Sequence, residues 1–243
     1  MPHNISSERL VGAVGGAGLH WETHRAEGAL PGEAPRPAFT IALSREAGTN
    51  GLPIAQALGE RLGWEVYDRE LLQKIAEEIG LRAEVLEAVD VRRQGWLQEC
   101  LEAFASFRAL SAGAFVRHLV EMLLALASHG RCVLIGRGAA QVLPAATTLR
   151  VRLVGPVEER VEAVRQRLAI THAEAVRWVE RVDGERTRFV RDHFRKDPTD
   201  PRLYDLVLNS SRFPAVECAE IIIESLKRLQ ALAPTQRAAL LAP

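Results

Sequence analysis

The chain has 243 residues, with 31 basic side chains balanced by 31 acidic ones and 47% apolar residues, enough for one large α/β domain with ample core. That balance argues against a general nucleic-acid or membrane-surface binder. Three scattered cysteines (Cys100, Cys132, Cys218) lack C-x-x-C spacing and read as reduced thiols of a cytoplasmic protein, and Glu121 interrupts the longest apolar run, short of transmembrane length.

Residues 1–37 are rich in Gly, Ala, Pro and polar residues and lack helical or strand periodicity. They read as a disordered extension, with a targeting segment as the alternative, although LVGAVGGAGL at 10–19 lacks a basic leader. The stretch AFTIALSREAGTNGLPIAQALGERL at 38–62 then reads as strand, glycine loop and helix. Residues 38–43 suit a buried parallel strand. Ile54, Leu58 and Leu62 give the helical period, Asn50 is placed to cap that helix, and Pro53 is tolerable in its first turn. A glycine loop feeding a helix N-terminus directs backbone N–H groups at one spot, where phosphate binds readily. If Gly51 is the last glycine of a Walker A motif, however, Leu52 and Pro53 stand where lysine and Ser/Thr belong. From this stretch alone, an ordinary strand–turn–helix and a phosphate loop both remain open.

Residues 64–67 form a second short strand that ends at Asp68, and a helix is expected over 69–79. Asp68 either caps that helix or is a polar group at the carboxyl end of a strand, where ligands bind in open α/β sheets. Residues 81–129 carry no strand signal and predict a helical insert, with helices over 96–110 and 114–128. A buried strand at 131–135 leads into Gly136, Arg137 and Gly138. Arginine between glycines at a strand end suits a bidentate grip on phosphate, or else is a solvated turn residue.

Residues 149–153 predict a further strand, followed by a helix opening at Gly155 and Pro156, with Val157, Val161, Val164 and Leu168 on its apolar stripe. Thr171 and Glu174 form a capping box for a helix from about His172 that carries Arg181, Arg186, Arg188, Arg191 and Arg195. Interleaved acids make it either a solvated salt-bridged helix or an arginine-bearing lid. A last strand over 204–208 and a helix after Pro214 complete a parallel sheet covered on both faces, with 233–243 a frayed tail.

SREAGTNGLPIA, YDRELL, GRGA, VDGERTRF and YDLVLNSS occur in one order. Their sequence and spacing resemble the cytidylate kinase-like family of P-loop nucleoside monophosphate kinases, over roughly residues 38–230. The resemblance implies a P-loop kinase-like parallel sheet with a helical insert at 81–129 and a lid near 170–200, within a domain spanning 38–232. It implies ATP as phosphoryl donor, Mg2+, and CMP or dCMP as acceptor. Carried over, Gly48, Thr49, Asn50 and Gly51 would cradle ATP phosphates, and Asp68, Arg137 and Arg191 would lie on the acceptor side. Arg186 and Arg188 would be lid or catalytic arginines.

The chain departs from the family at Leu52, often basic in its members, and at Pro53, which offers no side-chain ligand to magnesium; no residue is assigned to the metal. Arg45, just before the loop, is the candidate replacement for the missing charge. The alternative is a catalytically impaired nucleotide-binding regulator of the same fold. An RNA-binding module has only the arginine-rich segment behind it, and the interleaved acids and scarce aromatics there speak against it. Oligomeric state is left open.

Overall fold

A computed structural model describes residues 39–68 and 114–232. The chain divides into two units, Met1–Ala38 with Arg69–Gly130, and Phe39–Asp68 with Arg131–Pro243. The expected extension at 1–37, the helices at 69–79 and 96–110, Cys100 and the tail at 233–243 lie outside the described residues.

The second unit contains strands β1 (Thr40–Arg45), β2 (Glu65–Tyr67), β3 (Cys132–Ile135), β4 (Thr148–Val154) and β5 (Leu206–Asn209). They form one sheet in the order β2-β3-β1-β4-β5, and every pairing is parallel. Parallel strands covered on both faces read as nearly unbroken apolar runs. β3 (CVLI) is buried throughout, as are the first four residues of β1.

One face is closed by helix α1 (Gly51–Leu62) and the C-terminal helix (Ala215–Ala231). Ile54 and Leu58 of α1 and Ile222 and Leu226 of the C-terminal helix share a core with Ile41, Leu43, Val151 and Leu153. In the first unit, helix α2 (Ala114–His129) ends at Gly130, whose N–H is shared by Leu126 O and Ala127 O at 3.1 Å each. The short helix α3 (Ala139–Val142) follows β3, and its Gln141 reaches Tyr204 on the sheet face opposite the main core. α4 (Val157–Leu168) and α5 (His172–Phe194) form a helical hairpin, and the C-terminal helix is α6. Val161 and Val164 of α4 pack with Ala175, Val179 and Val182 of α5 around Ala47.

Two strand boundaries and one helix cap differ in ways that bear on the site, beside shifts of a single residue at other strand ends. β1 runs two residues further toward the loop, because Ser44 and Arg45 continue the ladder with Arg152 and Leu153. β5 begins at Leu206, since Tyr204 follows the 3-10 turn Pro201–Leu203 and turns its buried hydroxyl to Pro198 O (2.8 Å). Asn50 holds the N-cap position of α1, but its side chain makes no cap bond: the N3 position, three residues on, is Pro53, which has no N–H to donate. The capping box on α5 forms as the sequence indicates, with Glu174 N on Thr171 Oγ1 and Thr171 N on Glu174 Oε2.

Candidate active site

Because all five strands run the same way, their carboxyl ends share one edge. That edge carries the glycine loop after β1, Asp68 after β2, the Gly136–Arg137–Gly138 turn after β3, Gly155 after β4, and Ser210 and Ser211 after β5. Open α/β sheets bind ligands at this edge. A cleft of about 180 Å3 lies there, between Gly48, Thr49 and Asn50 of the loop, Gly155 and Arg160 at the start of α4, and Ser210 and Ser211.

The loop is held by charge. Glu46 lies within 3.5 Å of Arg152 Nη2 and 3.4 Å of Arg160 Nε, and it accepts the Gly155 N–H at 3.2 Å. Arg160 also donates to Gly155 O (3.0 Å), Ala47 O (2.9 Å) and Asp183 Oδ2 (2.7 Å). Asp183 Oδ1 takes the Ala47 N–H at 2.7 Å. Both Arg152 and Arg160 are 8% exposed, and such burial is tolerable only because carboxylates and carbonyls meet their donors. Arg152 also donates to Ser44 Oγ (3.2 Å) and lies over the Tyr204 ring.

Arg45 sends its side chain past two glycines. A Cβ on Gly51 would lie 2.9 Å from its Cδ, and one on Gly136 would lie 2.6 Å from its Nη1. Its guanidinium therefore sits between the N-terminus of α1 and the turn after β3. Its carbonyl accepts from Arg186 Nη1 of α5 at 3.1 Å.

The acceptor-side candidates are spread along that edge and along α5. Tyr67 pairs with Leu134, so Asp68 and the turn after Ile135 follow neighbouring strands. Arg137 has φ 51° between glycines at φ 79° and 76°, a conformation uncommon for a side-chain-bearing residue. Its guanidinium lies 5.3 Å from the centroid of the Phe189 ring. A Cβ on Gly138 would fall 2.1 Å from the Phe194 ring, so this turn is fitted to the C-terminal half of α5. Arg188 is exposed on α5, and exposed Arg191 pairs with Asp197 at 2.7 Å. Thus Arg45, Arg186 and the loop are in contact, whereas Arg191 is engaged at the end of α5.

The sequence model of the cytidylate kinase-like family matches residues 40–212. The chain belongs to that family. Among curated relatives, a cytidylate kinase from Methanopyrus kandleri is 34% identical over 105 residues, 40% of this chain and 54% of that enzyme. A uronate isomerase from Corynebacterium glutamicum is 26% identical over 135 residues, covering 55% of this chain but 26% of the isomerase. The chain thus spans about half or less of the curated relatives it matches. Among solved structures, an uncharacterised protein from Eubacterium ventriosum superposes with a TM-score of 0.62 at 17% identity, covering 78% of this chain and 98% of that one. That likeness concerns the fold.

Within this cytidylate kinase-like chain, the cleft has groups that suit a polyphosphate, a helix N-terminus, glycines and Arg160, with the Glu159 carboxylate also in its lining. Magnesium fits less well. Pro53 lacks a ligand atom and Glu46 and Asp183 are taken by arginines, whereas the Thr49 hydroxyl donates its proton to Glu46 O (2.8 Å) and keeps its oxygen lone pairs. Among the described residues no cluster of three or more His, Cys, Asp or Glu could hold an ion.

Sequence reasoning passed over Glu46, Arg152, Arg160 and Asp183 as site residues. Two signals pointed to them. Arg160 stands three residues from Val157 and four from Val164, an ionisable group on the apolar stripe of α4. Arg150 and Arg152 alternate with apolar residues in β4, marking one strand face as charged.

Proposed function

We propose that this protein is a nucleoside monophosphate kinase that transfers the γ-phosphoryl group of ATP to CMP or dCMP. The observation that carries the reading is the Arg45 guanidinium, lodged between the glycine loop and the Gly136–Arg137–Gly138 turn. Donor phosphates on the loop and an acceptor phosphate near Arg137 would meet across it. A phosphate oxygen of the monophosphate attacks the γ-phosphorus, the bond to the β,γ-bridging oxygen breaks, and ADP leaves. Such transfer requires in-line positioning and charge neutralisation, with no covalent protein intermediate.

In this reading the N–H groups of 48–51 hold the donor phosphates, and Arg45 supplies charge that Leu52 cannot. Arg137 and Asp68 orient the acceptor. Arg186 fixes Arg45 through its carbonyl, while Arg188 and Arg191 are further lid and acceptor candidates. Magnesium would be held chiefly by the nucleotide's own phosphates and by water, as is usual for this ion.

The second reading, a nucleotide-binding regulator without turnover, has Leu52 and Pro53 behind it: Leu52 is 45% exposed and contributes no charge to the loop. A panel of CMP, dCMP, UMP and AMP with Mg-ATP separates the two. The kinase produces ADP with a cytidine nucleotide, and Arg137→Ala loses that production. ATP raising the melting temperature with no turnover on any acceptor supports the regulator.

A further inference from the structure

The Ala47 peptide is held on both sides by one closed ring. Its N–H donates to Asp183 Oδ1, Asp183 Oδ2 accepts from Arg160 Nη1, and the same Nη1 donates back to Ala47 O. Ala47 is 1% exposed within the apolar cluster of α4 and α5, and its N–H finds its acceptor in this carboxylate. Three residues along α5, Arg186 holds the Arg45 carbonyl. The two α5 side chains therefore grip the peptide groups on either side of Glu46, whose own carboxylate steadies Gly155 and Arg160.

We infer that Asp183 is a positioning residue for the nucleotide, setting the glycine loop and the cleft arginine Arg160 in one register through this ring. The inference rests on the nucleotide-binding reading above and deepens it. A half-buried carboxylate near a polyphosphate has an electrostatic effect opposite to its geometric one. Removing it leaves the positive charge of Arg160 unopposed, which favours an anion. It also leaves the Ala47 N–H without an acceptor and the loop without its register. The ring geometry places the second effect first, because Asp183 alone spans both the loop amide and Arg160.

The test combines calorimetric titration of ATP and ADP with hydrogen exchange at the Ala47 amide. In Asp183→Ala, nucleotide affinity falls about tenfold and the Ala47 amide exchanges faster, while protection in β4 and α6 is retained. Asp183→Asn keeps an acceptor for that amide, so exchange stays slow and affinity falls less, by about threefold; it also carries the test if the alanine variant fails to fold. Equal or tighter nucleotide binding in whichever variant folds overturns the inference, showing that the carboxylate only dampens Arg160. A parent protein that binds neither nucleotide overturns the underlying reading before any variant is compared.

Discussion

A side chain at Gly136 would compete with Arg45 for the same space. The backbone there has φ 79°, and an added Cβ would lie 2.6 Å from Arg45 Nη1. Gly136→Ala therefore costs about 1–2 kcal/mol of stability from the left-handed backbone alone, and it displaces the guanidinium as well. Gly63 provides the control. Its φ is 65°, and a Cβ would meet nothing within 4 Å. Gly63→Ala should show a similar stability loss in denaturant titration and keep its turnover, whereas Gly136→Ala loses turnover by about tenfold or more. Equal turnover in the two variants would mean that the position of Arg45 is immaterial.

At the scale of the element, α5 is the long arm of the site, and carboxylates guard both of its ends. At the N-terminus, Glu174 is held below its ordinary range by the Thr171 hydroxyl and then by the Thr171 N–H. Beyond the C-terminus, Asp197 is lowered to about 2, first by the Thr199 N–H and then by the Arg191 guanidinium. A depressed carboxylate contributes stability that is present above its unfolded pKa and is lost as pH falls through its folded one. Both ends of α5 therefore loosen in acid, and the Asp197 end persists until pH approaches about 2. A carbon-detected titration of the Asp197 carboxyl checks this: the midpoint lies near 2 and rises in Arg191→Ala, while staying below the ordinary value because Thr199 remains. Thr171→Ala removes the cap and should cost about 1 kcal/mol of stability. These end contacts lie mainly in solvent, so they shape α5 more than they stabilise the molecule.

For the whole molecule, what the sequence could reveal depended on how local the signal was. The apolar runs at β1 and β3, the stripe on α4 and the Thr171–Glu174 box are local patterns, and each led to the right element, although Val157 and Leu168 at the ends of that stripe are exposed. The start of β5 was misjudged because Tyr204 has the profile of a strand residue, while its hydroxyl in fact ties Pro198, Gln141 and Ser44 together. Asn50 has the residue type and the position of a cap, but Pro53 at N3 offers its side chain no N–H. The network that ties Glu46, Arg152, Arg160 and Asp183 to Ala47 joins positions as far as 136 residues apart, and no periodicity records such a pairing. Glu46 and Asp183 read as ordinary surface charges until the fold brings them together, whereas Arg152 and Arg160 carry local signals of their own. Arg45 was singled out by a gap in the motif at Leu52 and Pro53, and its placement between Gly51 and Gly136 could come only from three dimensions.

In the proposed kinase, Arg45, which precedes the loop, supplies the charge that a Walker lysine would. The most direct test is the rate of CDP formation from CMP and Mg-ATP by the parent protein and by Arg45→Ala. The account predicts measurable turnover in the parent and a loss of about a thousandfold in kcat in the variant, with the KM for ATP changed far less. Equal kcat in the two proteins, or no CDP from the parent, would contradict it.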